Sequence, residues 1–141
     1  MLIGALTALV PTQVHSEQQF TSKSELQCIT TAIYHESRGE SLLGQKMVAK
    51  TIINRAESAM WPKTACNVVY QKGQFSWTRH TRTAPRNETY RQLEKVALEV
   101  ATTHDPKQAT GCNKATFFTT GRFNFKVKHV CTIGRHNFYT H

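Results

Sequence analysis

The chain has 141 residues, of which 39% are hydrophobic, and this length supports one domain with a buried core. It is too short for a second full domain. Its 18 basic and 9 acidic residues give a net charge of +9, so we expect its surface to attract a polyanion, either nucleic acid or an anionic cell envelope.

The first 16 residues differ in composition from the rest. Residues 2–10 are apolar, Pro11 ends this run, and residues 14–16 offer a place where a signal peptidase could cut, as is typical of an export signal. No Lys or Arg precedes the apolar run, so a retained membrane anchor and a buried N-terminal helix are the alternatives. We predict a signal peptide or signal anchor over 1–16 and a folded domain over 17–141. The domain is expected in the periplasm, the cell wall or the extracellular space, without stable membrane insertion after cleavage.

Two helices are predicted before residue 60. Residues 22–25, Ser-Lys-Ser-Glu, fit a capping box that starts the first helix, and Gly39 provides its natural end. Ser41 can cap the second helix. Apolar residues at helical spacing give each helix one buried face, formed by Leu26, Ile29 and Ile33 in the first and by Ala49, Ile52, Ile53 and Ala56 in the second.

Trp61-Pro62 marks a break, after which a short helix is predicted through residues 68–70. Residues 71–86 contain glycine, proline and several Thr and Arg residues, and we expect them to be irregular. Asn87 can cap a third long helix, which ends at residues 104–106. Its apolar face consists of Leu93, Val96, Ala97, Val100 and Ala101.

The last part of the chain favours β structure. Residues 115–118 and 132–139 are rich in Thr, Phe, Ile and Tyr, and glycines at 111, 121 and 134 flank them. The predicted fold class is therefore α+β, a mostly helical single domain with a small late β-sheet.

Four cysteines, Cys28, Cys66, Cys112 and Cys131, form an even set without CxxC spacing. This pattern argues against a zinc knuckle or a thioredoxin-type site and, in an exported chain, favours disulfides. Three pairings are possible. We favour Cys28–Cys66 and Cys112–Cys131, because each joins neighbouring segments. Four reduced, buried thiols in a cytosolic protein are the alternative.

Residues 34–40, Tyr-His-Glu-Ser-Arg-Gly-Glu, place Glu36 and Glu40 four residues apart at the end of the first helix. The C-terminal end of a helix carries partial negative charge, and a carboxyl group shielded from water there holds its proton more tightly. A general acid at neutral pH needs this property. Two solvated acids at a helix end are the alternative interpretation.

His35-Glu36 also begins the pattern of a zinc protease, but the second histidine of an HExxH site would fall on Gly39. The other histidines lack ligand spacing, and the sequence contains no GxSxG elbow or phosphate-binding glycine loop. We therefore predict no metal ion and no cofactor.

Acidic residues are scarce, and most of them fall outside the Glu36 segment. Glu88, Glu94 and Glu99 lie in the third long helix, where we expect them to face water. A standard glycosidase places two carboxylates beside the bond that it cleaves. Glu40 is the obvious neighbour of Glu36, but the break at Gly39 can turn it away. A mechanism that needs one carboxyl group therefore fits best.

Two further clusters suit a carbohydrate site. Residues 74–77, Gln-Phe-Ser-Trp, offer an amide, a hydroxyl and two aromatic rings, although the same residues could pin a loop into the core. Residues 133–139 can form an ordinary final strand with alternate residues buried. They can equally place His136 or Tyr139 beside a cleft.

Together these clusters resemble the SleB-like family of cell wall hydrolases, the spore-cortex-lytic type. The similar stretches are residues 32–58, 61–77, 115–121 and 132–141, in the same order and spacing. The resemblance implies a lysozyme-like fold and cleavage of the bond between N-acetylmuramic acid and N-acetylglucosamine, by lytic transglycosylation or by hydrolysis. It places the family's catalytic glutamate on Glu36.

The resemblance and the clusters also indicate which residues bind the substrate and what the substrate is. Candidate substrate-binding residues are Ser37, Glu40, Gln74, Phe75, Ser76, His136 and Tyr139. We expect a monomer that binds peptidoglycan glycan strands. Nucleic-acid binding is disfavoured, because Lys and Arg are scattered rather than concentrated on one helix. A non-catalytic, basic peptidoglycan-binding module is the alternative function.

Overall fold

The computed structural model describes Gly4 and residues 19–103, 111–123 and 126–141. Apart from Gly4, the predicted signal segment lies outside these residues, as does the predicted helix end at 104–106. The helices are α1 (Lys23–Ser37), α2 (Leu42–Glu57), α3 (Ala65–Val69) and α4 (Glu88–Thr103), with a 3₁₀ turn at Ser76–Arg79. The strands are β1 (Phe117–Thr119), β2 (Lys128–Ile133) and β3 (His136–Thr140). This architecture confirms the predicted α+β class.

The first two helices begin at the predicted caps. Ser22 Oγ accepts a hydrogen bond from the backbone N–H of Glu25, and Ser41 Oγ accepts one from that of Gly44. The reciprocal half of the predicted capping box is wrong. The Glu25 carboxylate instead accepts hydrogen bonds from the backbone N–H groups of residues 65 and 66, at the start of α3. A negative charge is favourable at a helix N-terminus, so Glu25 ties α1 to α3.

The main core lies between α1, α2, α3 and α4. The predicted apolar faces of the long helices are buried there, except for Leu26, which is half-buried at the edge of the cluster. Asn87 Oδ1 caps α4 as predicted, because it accepts a hydrogen bond of 2.9 Å from the Tyr90 backbone N–H. In the ranges that the structure describes, no helix is long and apolar enough to span a bilayer.

The strands form an antiparallel sheet in the order β1-β3-β2. The predicted strand stretch over 132–139 is divided by a turn at Gly134, whose φ is +57°, and β2 begins earlier, at Lys128. Glycine adopts this left-handed backbone readily, so it allows the chain to reverse between β2 and β3. The reversal brings the turn against the end of α1.

Two disulfides fasten the sheet and the short helix to the rest of the fold. Cys28–Cys66 joins α1 to α3, and Cys112–Cys131 joins the segment before β1 to β2, with Cα–Cα distances of 5.1 and 5.5 Å. These are the two pairs that the sequence analysis favoured. A second buried cluster, which contains Met47 and Phe138, packs the sheet against α2.

Candidate active site

Glu36 lies in the last turn of α1, one residue before the helix ends. Its half-buried side chain lines a cavity of about 240 Å³ between the end of α1 and the turn that joins β2 to β3. The lining residues are His35, Glu36, Ser37, Arg38, Gly39 and Arg135. The predicted acid therefore occupies a concave site with basic groups in its walls.

Burial raises the pKa of Glu36 above its usual value, and two partners oppose this shift. The Trp77 Nε1–H donates a hydrogen bond of 3.0 Å to Glu36 Oε1. The positive charge of Arg55 also favours the ionised carboxylate. The protonated form is thus favoured by removal from water, while the ionised form keeps a donor and a counter-charge. A group that must alternate between acid and base needs both forms to be accessible.

Because the pKa of Glu36 is raised in the folded protein, the free energy of unfolding should depend on pH: the proton on Glu36 stabilises the fold at low pH, and this stabilisation is lost when Glu36 ionises. Because the folded protein binds this proton more tightly than the unfolded chain, the stabilising contribution is complete below the usual value of 4.5. It is lost as the pH rises through the folded-state pKa. We expect Glu36→Gln to unfold at a higher temperature than the wild type at pH 7, with a smaller difference at pH 4. Thermal unfolding at both pH values measures this, and an equal difference at both would contradict it.

Aromatic stacking holds Trp77 in place. The Trp77 ring stacks on His35, with ring centroids 4.4 Å apart and 20° between planes, and lies 6.1 Å from the Phe75 ring. His35 Nε2 is in turn 2.8 Å from the Thr83 carbonyl oxygen. His35, which begins the rejected zinc-protease pattern, therefore supports the indole that contacts Glu36.

Glu40 is tied to the β2–β3 turn. Its side chain is 7% exposed, and its carboxylate accepts hydrogen bonds from Arg135 Nε at 2.8 Å and from the Arg135 backbone N–H at 3.4 Å. The hydrogen bond from the Arg135 side chain is the main reason why the pKa of Glu40 is lowered. A substrate would have to compete with Arg135 for this carboxylate.

Gly134 makes this ion pair possible, because a Cβ there would overlap Glu40 Oε2. We expect Gly134→Ala to displace the Glu40–Arg135 pair, and we expect the strained left-handed backbone by itself to lower the free energy of unfolding by about 1–2 kcal/mol. Chemical denaturation measures this effect. Gly121→Ala is the matched control, since its Cβ would lie 3.9 Å from Thr119 Oγ1, in ordinary contact. Equal stability of the two variants would contradict the prediction.

Of the other predicted residues near Glu36, two are buried in the protein and two lie nearer the surface of the loop that carries Trp77. The Ser37 hydroxyl donates a hydrogen bond of 3.2 Å to the Ile33 carbonyl, and the residue is 2% exposed. Phe75 is 5% exposed and packs beneath the site against Trp77 and Phe118. Gln74 is half-buried and Ser76 is exposed, and both flank Phe75 in the loop that carries Trp77.

His136 and Tyr139 lie on opposite faces of β3. The His136 ring meets Phe118 edge-on at 5.3 Å, whereas Tyr139 meets Phe123 at 5.2 Å. Burial lowers the pKa of His136, and the charge of Glu40 opposes this shift, so His136 lies on the Glu40 side of the sheet. Among the described residues, buried His136 Nδ1 has no hydrogen-bond partner. The structure thus groups His136, but not Tyr139, with Glu40.

Sequence reasoning missed Arg55, a residue of α2. It is 4% exposed, its Nε donates a hydrogen bond of 2.6 Å to the Thr116 carbonyl, and its guanidinium lies 4.6 Å from the Trp61 ring centre. Burial lowers its pKa to about 10, while the charge of Glu36 raises it. A signal was present in the sequence, because Arg55 follows Ile52 by three residues on the apolar face of α2.

Comparison with known proteins identifies relatives over much of the chain. The family model described as Cell Wall Hydrolase matches residues 39–139. The spore cortex-lytic enzyme of Bacillus cereus is 42% identical over 55 residues, which are 39% of this chain and 21% of that protein. The spore cortex-lytic enzyme of Bacillus subtilis is 31% identical over 55 residues, 18% of its length. The matched stretch therefore spans only about a fifth of these curated relatives.

Solved structures extend the similarity to most of the chain. The catalytic domain of the Bacillus cereus SleB protein has a TM-score of 0.69 and 29% identity, covering 84% of this chain and 91% of that one. The catalytic domain of the germination-specific lytic transglycosylase SleB from Bacillus anthracis has a TM-score of 0.69 and 30% identity, covering 84% and 96%. The family-model match and these structures lead to one conclusion: the chain belongs to the cell wall hydrolase family.

Proposed function

We propose that this chain cleaves the bond between N-acetylmuramic acid and N-acetylglucosamine in peptidoglycan as a lytic transglycosylase, with Glu36 as its single general acid and base. The observation that carries the proposal is a half-buried carboxyl group with a raised pKa, held by Trp77 in a cavity. The relatives' names, spore cortex-lytic enzyme and germination-specific lytic transglycosylase, point to the same chemistry. Since the family-model match begins at residue 39, the role of Glu36 rests on its geometry.

The surroundings of Glu40 support a mechanism with one carboxyl group. A retaining or inverting glycosidase needs a second carboxylate that is free to act as nucleophile or base. Glu40 is the nearest acid in sequence, but Arg135 occupies it and its pKa is lowered. It is also not among the residues that line the Glu36 cavity. We therefore assign Glu40 to holding the β2–β3 turn.

In the proposed reaction, protonated Glu36 donates its proton to the glycosidic oxygen. The bond between C1 of the muramoyl residue and this oxygen breaks, and the bonding electrons stay with the oxygen. The muramoyl 6-hydroxyl then attacks C1 and gives its proton to the Glu36 carboxylate, so that a 1,6-anhydro ring closes and Glu36 regains its acid form. Attack by water instead of the 6-hydroxyl would give a reducing end.

Mass spectrometry of fragments released from purified sacculi tests bond, product and activity together. We expect muramoyl ends one water lighter than reducing ends, and about 10²–10⁴-fold fewer of them from a digest with Glu36→Gln in the same time. Reducing muramoyl ends would replace the transglycosylase assignment with hydrolysis. Binding to sacculi without any release would instead indicate the non-catalytic, basic binding module.

We propose that the protein acts outside the cytosol. Its two disulfides persist in an oxidising compartment, and a cytosolic protein would be kept reduced. A net charge of +9 would draw the folded domain to an anionic envelope. Detection of the protein in the cell-wall or periplasmic fraction with both disulfides formed would support this location, and free thiols in the cytosolic fraction would contradict it.

A further inference from the structure

The buried guanidinium of Arg55 is costly unless something compensates its charge. Taking a cation out of water carries a penalty that hydrogen bonds and counter-charges must offset. Arg55 Nε has the Thr116 carbonyl, and the guanidinium lies over the rings of Trp61, Phe75 and Phe117 at 4.6, 5.7 and 5.7 Å. Its Nη1 is buried and, within the part of the chain that the structure describes, lacks a hydrogen-bond partner. Neutral partners therefore leave part of the charge uncompensated.

A series of side-chain contacts connects Arg55 to Glu36, the candidate catalytic residue. The Phe75 ring beneath the guanidinium also contacts the Trp77 ring at 6.1 Å, and Trp77 Nε1 donates to Glu36. This arrangement places the buried cation behind a layer of aromatic rings, and Trp77 in that layer contacts the Glu36 carboxylate. A charge is weakly screened there, because solvent and counter-ions have little access.

We propose that Arg55 is a positioning residue whose buried charge stabilises the carboxylate that Glu36 becomes when it gives its proton to the glycosidic oxygen. The catalytic part of this inference rests on the proposed function, whereas the coupling between the two side chains does not. Arg55 is 4% exposed, so it acts through Glu36 and makes no contact with the glycan. Its contribution grows as negative charge develops on Glu36, so it favours the transition state over the bound substrate.

Other titratable groups face Glu36, and they are more exposed than Arg55. His35 and Arg38 flank it on α1, and Arg135 enters its cavity from the β2–β3 turn with a side chain that is 78% exposed. Arg135 is also paired with Glu40. Arg55 is the cation whose charge favours the ionised form of Glu36. Solvent screens the exposed groups, and this difference explains why the buried cation dominates.

Carboxyl carbon NMR tests the coupling without any substrate. The whole chain has only 9 acidic residues, and Glu36→Gln identifies the Glu36 signal. We expect Arg55→Met, which removes the charge and keeps an unbranched, flexible apolar side chain, to raise the pKa of Glu36. Arg55→Lys keeps the charge and should restore a pKa nearer to that of the wild type. An unchanged Glu36 pKa in folded Arg55→Met would overturn the proposal.

A measurement on chains with native Arg55 decides the case if Arg55→Met does not fold. In the wild type, the chemical shift of the Arg55 Nε–H should change with pH in a titration step whose midpoint is the pKa of Glu36. This titration step should disappear in Glu36→Gln. Absence of the step in the wild type, or its persistence in Glu36→Gln, would overturn the proposal.

Kinetics on soluble glycan strands tests the catalytic part. We expect Arg55→Met to lower kcat by about tenfold or more with KM unchanged, since each pH unit of pKa corresponds to about a tenfold change in ionisation. The alkaline limb of its pH profile should move to higher pH, and Arg55→Lys should recover part of both effects. A raised KM with an unmoved limb would indicate a merely structural role and overturn the assignment. Inactivity of the wild type, with the NMR coupling intact, would refute the proposed function and leave the coupling standing.

Discussion

Glu36→Gln is expected to reduce the release of glycan fragments by about 10²–10⁴-fold, because a positioned acid and base contributes about this much to the rate. Glutamine has nearly the same shape, and its carbonyl oxygen can still accept the 3.0 Å hydrogen bond from Trp77 Nε1. It can neither donate a proton to the glycosidic oxygen nor take one from the muramoyl 6-hydroxyl. The loss would therefore reflect chemistry rather than folding. Initial rates of fragment release from sacculi measure it.

Glu88→Gln is the matched control for this prediction. Glu88 lies on α4 with a side chain that is 67% exposed, and it pairs with the neighbouring surface residues Arg91 and Gln92. The same loss of one negative charge there should leave the rate of fragment release unchanged. If Glu36→Gln kept the full rate of fragment release, or if both variants lost the same fraction of that rate, the single-acid mechanism would be contradicted.

The sequence was sufficient for elements whose signals are local. Ser22, Ser41 and Asn87 each cap the helix that follows, because a cap needs only a short polar side chain and the next N–H groups. The β2 strand was not predicted over its full length. Its residues alternate poorly between buried and exposed, so periodicity gave no strand signal before residue 132.

The candidate site was predictable where it depends on α1 and not where it depends on tertiary contacts. The position of Glu36 at a helix end follows from the helix alone. Its hydrogen-bond partner Trp77 lies 41 residues further along the chain, and no periodic pattern links the two. The role of Glu40 also depended on a distant partner, since Arg135 is 95 residues away. The packing of helices and strands against one another determines which groups shift the pKa of an acid. The spacing of residues in the sequence does not contain that information.

The two disulfides are expected to contribute similarly to stability. Sequence separations of 38 and 19 residues correspond, in the chain-entropy description, to about 3–4 kcal/mol each. We therefore expect the double variants Cys28→Ala/Cys66→Ala and Cys112→Ala/Cys131→Ala to lose comparable free energy of unfolding. Chemical denaturation at one pH measures both losses.

The same two double variants should differ in activity while they remain folded. The Asn54 side chain donates hydrogen bonds to the carbonyls of Asn113 and Ala115, and Arg55 Nε donates to that of Thr116. Cys112–Cys131 fastens the beginning of this acceptor segment to β2, so its removal should loosen the support of Arg55.

Cys28–Cys66 lies two turns before Glu36 on α1 and fastens α3, which contributes no residue to the Glu36 cavity. We expect the rate of fragment release, measured well below each unfolding temperature, to fall in Cys112→Ala/Cys131→Ala and to stay near the wild-type value in Cys28→Ala/Cys66→Ala. Circular dichroism on the same samples checks that both are folded. Equal rates in the two folded variants would contradict this prediction and mean that the acceptor segment, with the Thr116 carbonyl that holds Arg55, keeps its position without the covalent link.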